Sequence, residues 1–341
     1  MDTKKYISEI NNALYEMDNG NYEKAYEGLK EILSSQSFLK LKENDQIFIK
    51  KRYSRVLLAL GHFEEGWSFF TFNWIKNAEK FERILDQNRS IKYLISLNQI
   101  QINDKLLIWN DGGFGDFIYQ LRLLKYIKLS VDVKIYNNKL GHLLRHKELL
   151  VSNSSNFDWH LPLVEIPRVL KYSPLKYKNF DYDYLIGPKK NYLEYKNCVG
   201  LSYKTETSKS KSIDYELLKS LFIKKTNLNF IIIQKSLDKS EVKFFSEFKN
   251  VILIENLDKN NIFEDTFDIV NSVKFIISID SAVSHIAGYL GKKNYLLLRH
   301  EGHFYWGHNK DRSNDYPNHI ILKQRNKNDW STVINKLIKI I

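Results

Sequence analysis

The chain has 341 residues, 43% of them hydrophobic and 14% aromatic, which suits two or three globular domains and excludes a disordered protein. A single cysteine, Cys198, excludes an internal disulfide and any cysteine-based zinc site. The formal charge is +12, but its lysines are scattered among asparagines without an arginine-rich stripe, so a solvated basic surface is expected and nucleic-acid binding is not.

Residues 1–95 read as helices only. Tyr6, Ile10, Leu14 and Met17 recur at helical spacing, and a turn at Asn19-Gly20 opens a second amphipathic helix running to Leu33. The device returns at Leu58 to Phe70, where Gly61 aligns with Gly20, Phe63 with Tyr22, Gly66 with Ala25 and Phe70 with Leu29. This spacing resembles the tetratricopeptide helix-turn-helix, although the offset between the glycines exceeds that repeat's roughly 34 residues, which predicts an elongated first helix in the second pair. Met1 to Tyr6 carries no signal-peptide core, and no apolar run approaches the roughly 20 residues that span a bilayer. A soluble, cytoplasmic protein is expected.

From Lys105 the period changes. Lys105 to Trp109 reads as a strand, Phe117 to Lys128 as a helix and Val131 to Tyr136 as a strand, while 137–195 is loop-rich. Strands then alternate with helices: strands at Cys198–Tyr203, Asn229–Gln234, Val251–Ile254, Phe275–Ile279 and Asn294–Leu298; helices at Tyr215–Ile223, Glu241–Phe248, Phe263–Val273 and Ser281–Leu290. Such alternation implies a parallel sheet with right-handed crossovers. A last helix, capped by Asp329, carries Trp330, Val333, Ile334, Leu337 and Ile341 on one face.

Two strand-turn-helix sites stand out. Phe275-Ile-Ile runs through Asp280 and Ser281 into Ala282, Val283, Ser284 and His285, a small, hydroxyl-bearing helix mouth where free N–H groups and the helix dipole favour a phosphate. The competing reading is an ordinary capped helix behind a buried strand. Upstream, Leu106 to Trp109 enters Asn110-Asp-Gly-Gly113-Phe-Gly115-Asp116, a glycine-lined turn closed by a carboxylate. Asp116 is the candidate general base, or else the cap of a helix beginning at Phe117. Two such sites suggest two nucleotide-fold halves facing a shared cleft. Gly112 to Gly115 is not the dinucleotide fingerprint, because the third glycine and the later acidic residue are missing.

Lys204, Lys211 and Lys235 follow strands of the second half, where ligands collect, and Lys211 is the best cation for an anionic leaving group. Asp265 and Thr266 either reach a nucleotide or cap the helix after them. His285 shares a helical face with Ser281 and either donates to a phosphate or serves packing. His300, Glu301, His303 and His308 lack metal-ligand spacing, so no metal site is expected and a packing or acceptor-facing loop is the better reading.

An ordered set of segments carries a family resemblance over residues from about 50 to the C-terminus. The set runs Leu60-Gly-His-Phe-Glu-Glu-Gly-Trp67 with Trp74; Gly113-Phe-Gly-Asp116; Phe157 to Leu163; Val199-Gly-Leu-Ser202; Ile233-Gln-Lys235; Glu264-Asp-Thr266; Ile279 to Lys292; Tyr305-Trp306; Tyr316-Pro317; and Asp329-Trp330. In this order they resemble the bacterial tetratricopeptide-linked glycosyltransferases, related to the heptosyltransferases and O-linked N-acetylglucosamine transferases.

The resemblance implies an α/β GT-B fold, two Rossmann-like domains facing a cleft after a short all-α region, with parts at 1–95, 104–195 and 196–341. It implies sugar transfer from a nucleotide-sugar to a protein or glycan acceptor, inverting and without an obligatory metal or other cofactor. Asp116 falls at the heptosyltransferase catalytic aspartate, and Gly113, Gly115, Lys204, Lys211, Lys235, Asp280, Ser281, Ala282, Val283, Ser284 and His285 become donor-binding candidates. The helical repeats become a docking site for acceptor or partner. This sequence departs from the family at Ser281, where threonine is usual, at Lys211-Ser212, where arginine-serine is usual, and in the loop His303 to His308. A non-catalytic scaffold that binds proteins through its repeats is the alternative from another class.

Overall fold

The computed structural model describes residues 3–70, 91–110, 112–128, 131–136, 140–152, 156–177, 183–206, 208–260, 262–307 and 310–341. Trp74, Thr207 and His308 lie outside them. The chain divides into two compact units, Met1–Leu185 with His303–His308, and Ile186–Gly302 with Asn309–Ile341. The helical region, delimited in the sequence at 1–95, shares a unit with the first sheet. Trp67 shows why: it is buried and its indole N–H donates to the carbonyl of Tyr172 at 2.8 Å.

The first unit opens with helices Thr3–Asp18, Tyr22–Ser34, Glu43–Leu60 and Phe63–Phe70, with a one-turn helix, Gln36–Leu39, between the pairs. Gly20 (φ 73°) and Gly61 (φ 89°) both take the left-handed conformation that ends a helix at no steric cost to glycine. Their hydrogen bonds match. Gly20 N–H reaches Met17 O and Asn21 N–H reaches Glu16 O, while Gly61 N–H reaches Leu58 O and His62 N–H reaches Leu57 O. A Cβ on Gly66 would sit 2.8 Å from Leu58 Cγ, so only glycine lets those helices approach. The short helix 36–39, capped by the Ser35 hydroxyl, accounts for much of the added length between the pairs.

Five parallel strands follow in the same unit: β1 (Lys92–Tyr93), β2 (Lys105–Trp109), β3 (Asp132–Tyr136), β4 (Leu150–Val151) and β5 (Trp159–Pro162), in spatial order β1-β5-β2-β3-β4. Residues 92–93 were expected to be helical and are a strand. Nor do β4 and β5 show in the sequence, because two residues display no alternation and the apolar run of Trp159-His-Leu-Pro162 is interrupted by a histidine and ends on a proline. The helix expected at 117–128 begins earlier and breaks, giving Phe114–Leu121 and Leu124–Lys128.

The second unit is a six-stranded parallel sheet: β6 (Val199–Ser202), β7 (Phe230–Ile232), β8 (Val251–Leu253), β9 (Phe275–Ile279), β10 (Asn294–Leu298) and β11 (His319–Lys323). Its order, β11-β10-β9-β6-β7-β8, is that of the doubly wound dinucleotide-binding sheet, reversing direction between β6 and β9. Every residue of β6, β7, β9 and β10 is buried, since helices cover both faces of such a sheet. β11 was not expected as a strand; it pairs in parallel with β10 over five positions.

Candidate active site

In the second unit, β6 and β9 are neighbours with Ser202 opposite Ser278, so the loops leaving their carboxyl ends emerge side by side where strand order reverses. The β6 loop is folded back by the Ile213 N–H to Tyr203 O bond (2.8 Å) and the Thr205 N–H to Ser212 Oγ bond (3.0 Å). That fold brings Lys211 to the end of β9, where its Nζ lies 2.7 Å from Asp280 Oδ2. Two candidates 69 positions apart in sequence are thereby joined at the switch point.

The next residue, Ser281, caps the helix Ala282–Tyr289 in extended conformation, but its side chain accepts no helix N–H. Its Oγ is buried and has no hydrogen-bond partner. Ser284 Oγ instead closes the turn, donating to Ser281 O at 2.6 Å. The first-turn N–H groups of Ala282 and Val283 have no acceptor within the helix by construction. A partly buried lysine, an unused hydroxyl and an open helix start together make a site receptive to an anion.

The remaining candidates of this unit go elsewhere. Lys204 Nζ is held by both oxygens of Glu241 at 2.8 and 2.5 Å, and that carboxylate also accepts from Tyr203 OH (2.6 Å) and Asp238 N–H (2.9 Å). Burial and this carboxylate together push the Tyr203 phenol upward. Lys204 is thus tied into a structural knot rather than offered to a ligand. Lys235 is exposed beyond β7. His285 is buried, 3.2 Å from Tyr316 OH, and His319 beside it donates from Nε2 to Ser284 O at 2.9 Å. Burial holds His319 down to about 4, so it is neutral and supports the helix mouth from beneath.

Thr266 donates to Asp258 through both N–H and hydroxyl, and Asp265 accepts from Asp258 N–H; both residues lie inside the helix Glu264–Ser272, whose N-cap is Phe263, so they fix a loop to that helix and do not cap it. Arg299, immediately after β10, was not singled out from the sequence. It donates to Ser210 Oγ at 2.6 Å, next to Lys211. A cation just past a parallel strand was the available signal.

In the first unit, Asp116 is neither an N-cap nor a free-standing base. The helix starts at Phe114 with Gly113 as its cap, and Asp116 in the first turn reaches back to accept the Gly113 N–H at 3.0 Å. Its other oxygen accepts Tyr305 OH at 2.9 Å. Gly112 has no room for a side chain, since a Cβ would lie 2.8 Å from both Asp116 Cβ and Val164 Cγ1. Gly113 and Gly115 belong to this helix start, not to the unit that carries Ser281.

Beyond the turn, Glu165 is fully buried, bound by Arg168 and by Tyr93 OH (2.6 Å); burial drives its carboxyl up while Arg168 opposes. His160 accepts from Trp109 Nε1 (3.3 Å) and is pushed down to about 4 by burial. Among the described residues no three His, Cys, Asp or Glu side chains cluster as a metal site, and no helix is long and apolar enough to cross a membrane.

No protein-family model and no curated protein matches this chain. Similar solved structures include the E. coli heptosyltransferase WaaC with ADP, at 11% identity, covering 69% of this chain and 99% of that one with a TM-score of 0.44. A glycosyl transferase family 9 protein from Veillonella parvula gives 10% identity, 71% and 91% coverage and a TM-score of 0.45. The iron-containing glycosyltransferase TibC of enterotoxigenic E. coli gives 10% identity, 58% and 59% coverage and a TM-score of 0.42.

Proposed function

We propose that this protein is a GT-B glycosyltransferase that moves a sugar from a nucleotide-sugar to a protein or glycan acceptor, inverting the anomeric centre. The observation that carries this reading is the Lys211–Asp280 pair beside the unpartnered Ser281 hydroxyl, at the reversal point of a dinucleotide-type sheet. The ordered sequence motifs, from Gly113-Phe-Gly-Asp116 to the Ile279–Lys292 block, add the direction of the chemistry.

In this reaction the acceptor hydroxyl oxygen bonds to the sugar's anomeric carbon as the bond from that carbon to the donor phosphate breaks. Asp116 takes the hydroxyl proton. The nucleoside diphosphate leaves with the bonding electron pair, and its growing charge meets Lys211, the N–H groups of Ala282 and Val283, and the Ser281 hydroxyl. Lys211 and the helix start supply the charge compensation, so no metal is required in this scheme. Lys204 drops out of the donor set because Glu241 holds it, and His285, buried within the helix, meets Tyr316 OH instead of a phosphate. Acceptor docking on the helical region remains part of the proposal.

Calorimetry with UDP-, GDP-, CMP- and ADP-sugars tests donor binding; binding of none favours the scaffold alternative. Asp116→Asn should retain donor binding and lower transfer at least ~100-fold, the range of a lost general base. Unchanged turnover, followed by mass spectrometry of the product, removes Asp116 from that role.

A further inference from the structure

Residues 303–307 follow β10 and its loop in sequence yet belong to the first unit. Their one-turn 3-10 helix, Phe304–Trp306, is fixed by aromatic contacts. Phe304 meets Trp67 edge-to-face at 5.8 Å and Phe70 at 6.3 Å, and Trp306 is buried. Tyr305 lies against Tyr119 with ring centroids 4.2 Å apart, and the Arg122 guanidinium sits 3.9 Å over the Tyr119 ring. Arg122 in turn donates to Tyr172 OH, and the Tyr172 carbonyl receives the Trp67 indole N–H. A closed circuit of contacts thus holds the Tyr305 ring in place, with its phenol on Asp116.

We infer that Tyr305 is the positioning residue of Asp116, fixing its carboxylate and favouring its ionised form through the phenol hydrogen bond. Gly113 N–H donates to Oδ2 and Tyr305 OH to Oδ1, so the group cannot rotate without losing a bond. A hydrogen bond given to the charged form stabilises that form, and a base has to be ionised before its acceptor arrives. The functional consequence rests on reading Asp116 as the proton acceptor; the effect on the carboxylate does not.

Among the described residues, other ionisable groups on the elements around Asp116 include Tyr119 on its own helix, Arg122 at that helix's end, His303 beside Tyr305, and Glu165 on the turn after β5. Glu165 is committed to Arg168 and Tyr93, and both variants below keep the Tyr305 ring that meets Tyr119 and His303.

The test is a carboxyl carbon-13 NMR titration of the full chain, with the Asp116 signal assigned by its loss in Asp116→Asn. Tyr305→Phe keeps the stacked ring and removes one donor, so the Asp116 midpoint should rise by about one pH unit. Replacing Tyr305 by 3,5-difluorotyrosine supplies a more acidic donor and should lower the midpoint, a reversal that a packing role does not produce. If the phenylalanine variant fails to fold, the fluorinated one decides. No shift in a folded variant overturns the inference. In the transfer assay the acidic limb of kcat should move with the midpoint. Full turnover in Asp116→Asn would remove the base reading while the titration still settles the role of Tyr305.

Discussion

Individual residues divide into those that hold the frame and those left open at it. Gly288 is one of the former: a Cβ there would lie 2.5 Å from Tyr316 Cε1 and 2.6 Å from its Cγ. Tyr316 cannot give way, because His285 and the stacked His319 back it. Gly288→Ala should therefore cost about 1–3 kcal/mol of overpacking, measured by urea unfolding, and weaken donor binding through the helix mouth. Lys204 makes the opposite point. A lysine after a parallel strand reads as a ligand-binding cation, yet Glu241, at the third position of the Lys239–Ser246 helix, captures it from 37 positions away. Lys204→Met should destabilise the fold by about 1–3 kcal/mol, by leaving a buried carboxylate uncompensated. Nucleotide-sugar affinity should be unchanged; a loss of affinity without a loss of stability would return Lys204 to the donor site.

Among elements, β2, β9 and β10 have the bounds expected from their sequences, because strands buried on both faces are written as continuous apolar runs. β1, β4 and β5 carry no such signature: β1 and β4 have two residues each, and the histidine and proline of β5 interrupt its apolar run, so their neighbours' hydrogen bonds define them. The start of the helix Phe114–Leu121 was misplaced for a related reason. An aspartate in the first turn and an aspartate at the cap look alike in sequence, and only the Gly113 N–H bond separates them. At this scale the Lys211–Asp280 pair ties the β6 loop to the end of β9. Both side chains are largely covered, at 24% and 12% exposure, so removing the lysine leaves the Asp280 carboxylate without its cation. Lys211→Gln, which keeps a donor for Asp280, should cost about 1 kcal/mol of stability while weakening diphosphate binding ~10-fold by calorimetry, the worth of one charge-assisted contact. Equal affinity in wild type and variant would place the anion elsewhere.

For the molecule as a whole, each unit contains a buried neutral histidine, His160 in the first and His319 in the second, both held at about 4 against an ordinary 6.5. The unfolded chain protonates them near pH 6.5 and the folded chain not until about 4, so the unfolded state binds more protons across that window. Their stabilising contribution is whole above pH 6.5 and is lost as pH falls towards 4. Glu165 and Asp258, raised by burial, act in the opposite sense, favouring the fold at low pH and losing that contribution as pH rises. His319→Gln, which keeps a donor for Ser284 O, should flatten the fall of the thermal midpoint between pH 6.5 and 4; an unchanged slope would show that His319 is not neutral in the fold. The sequence alone determined the alternation of strands and helices, the two glycine-ended helix turns and the helix mouth at Ser281, since each is set by local periodicity or by a backbone conformation that only certain residues adopt. Only the tertiary structure decided which lysine meets Asp280, that Glu241 takes Lys204, and that Tyr305 reaches Asp116 from 189 positions away. Those pairings depend on strand order and loop return, through which chain-distant groups compete for the same partner, and no single segment encodes the outcome of that competition.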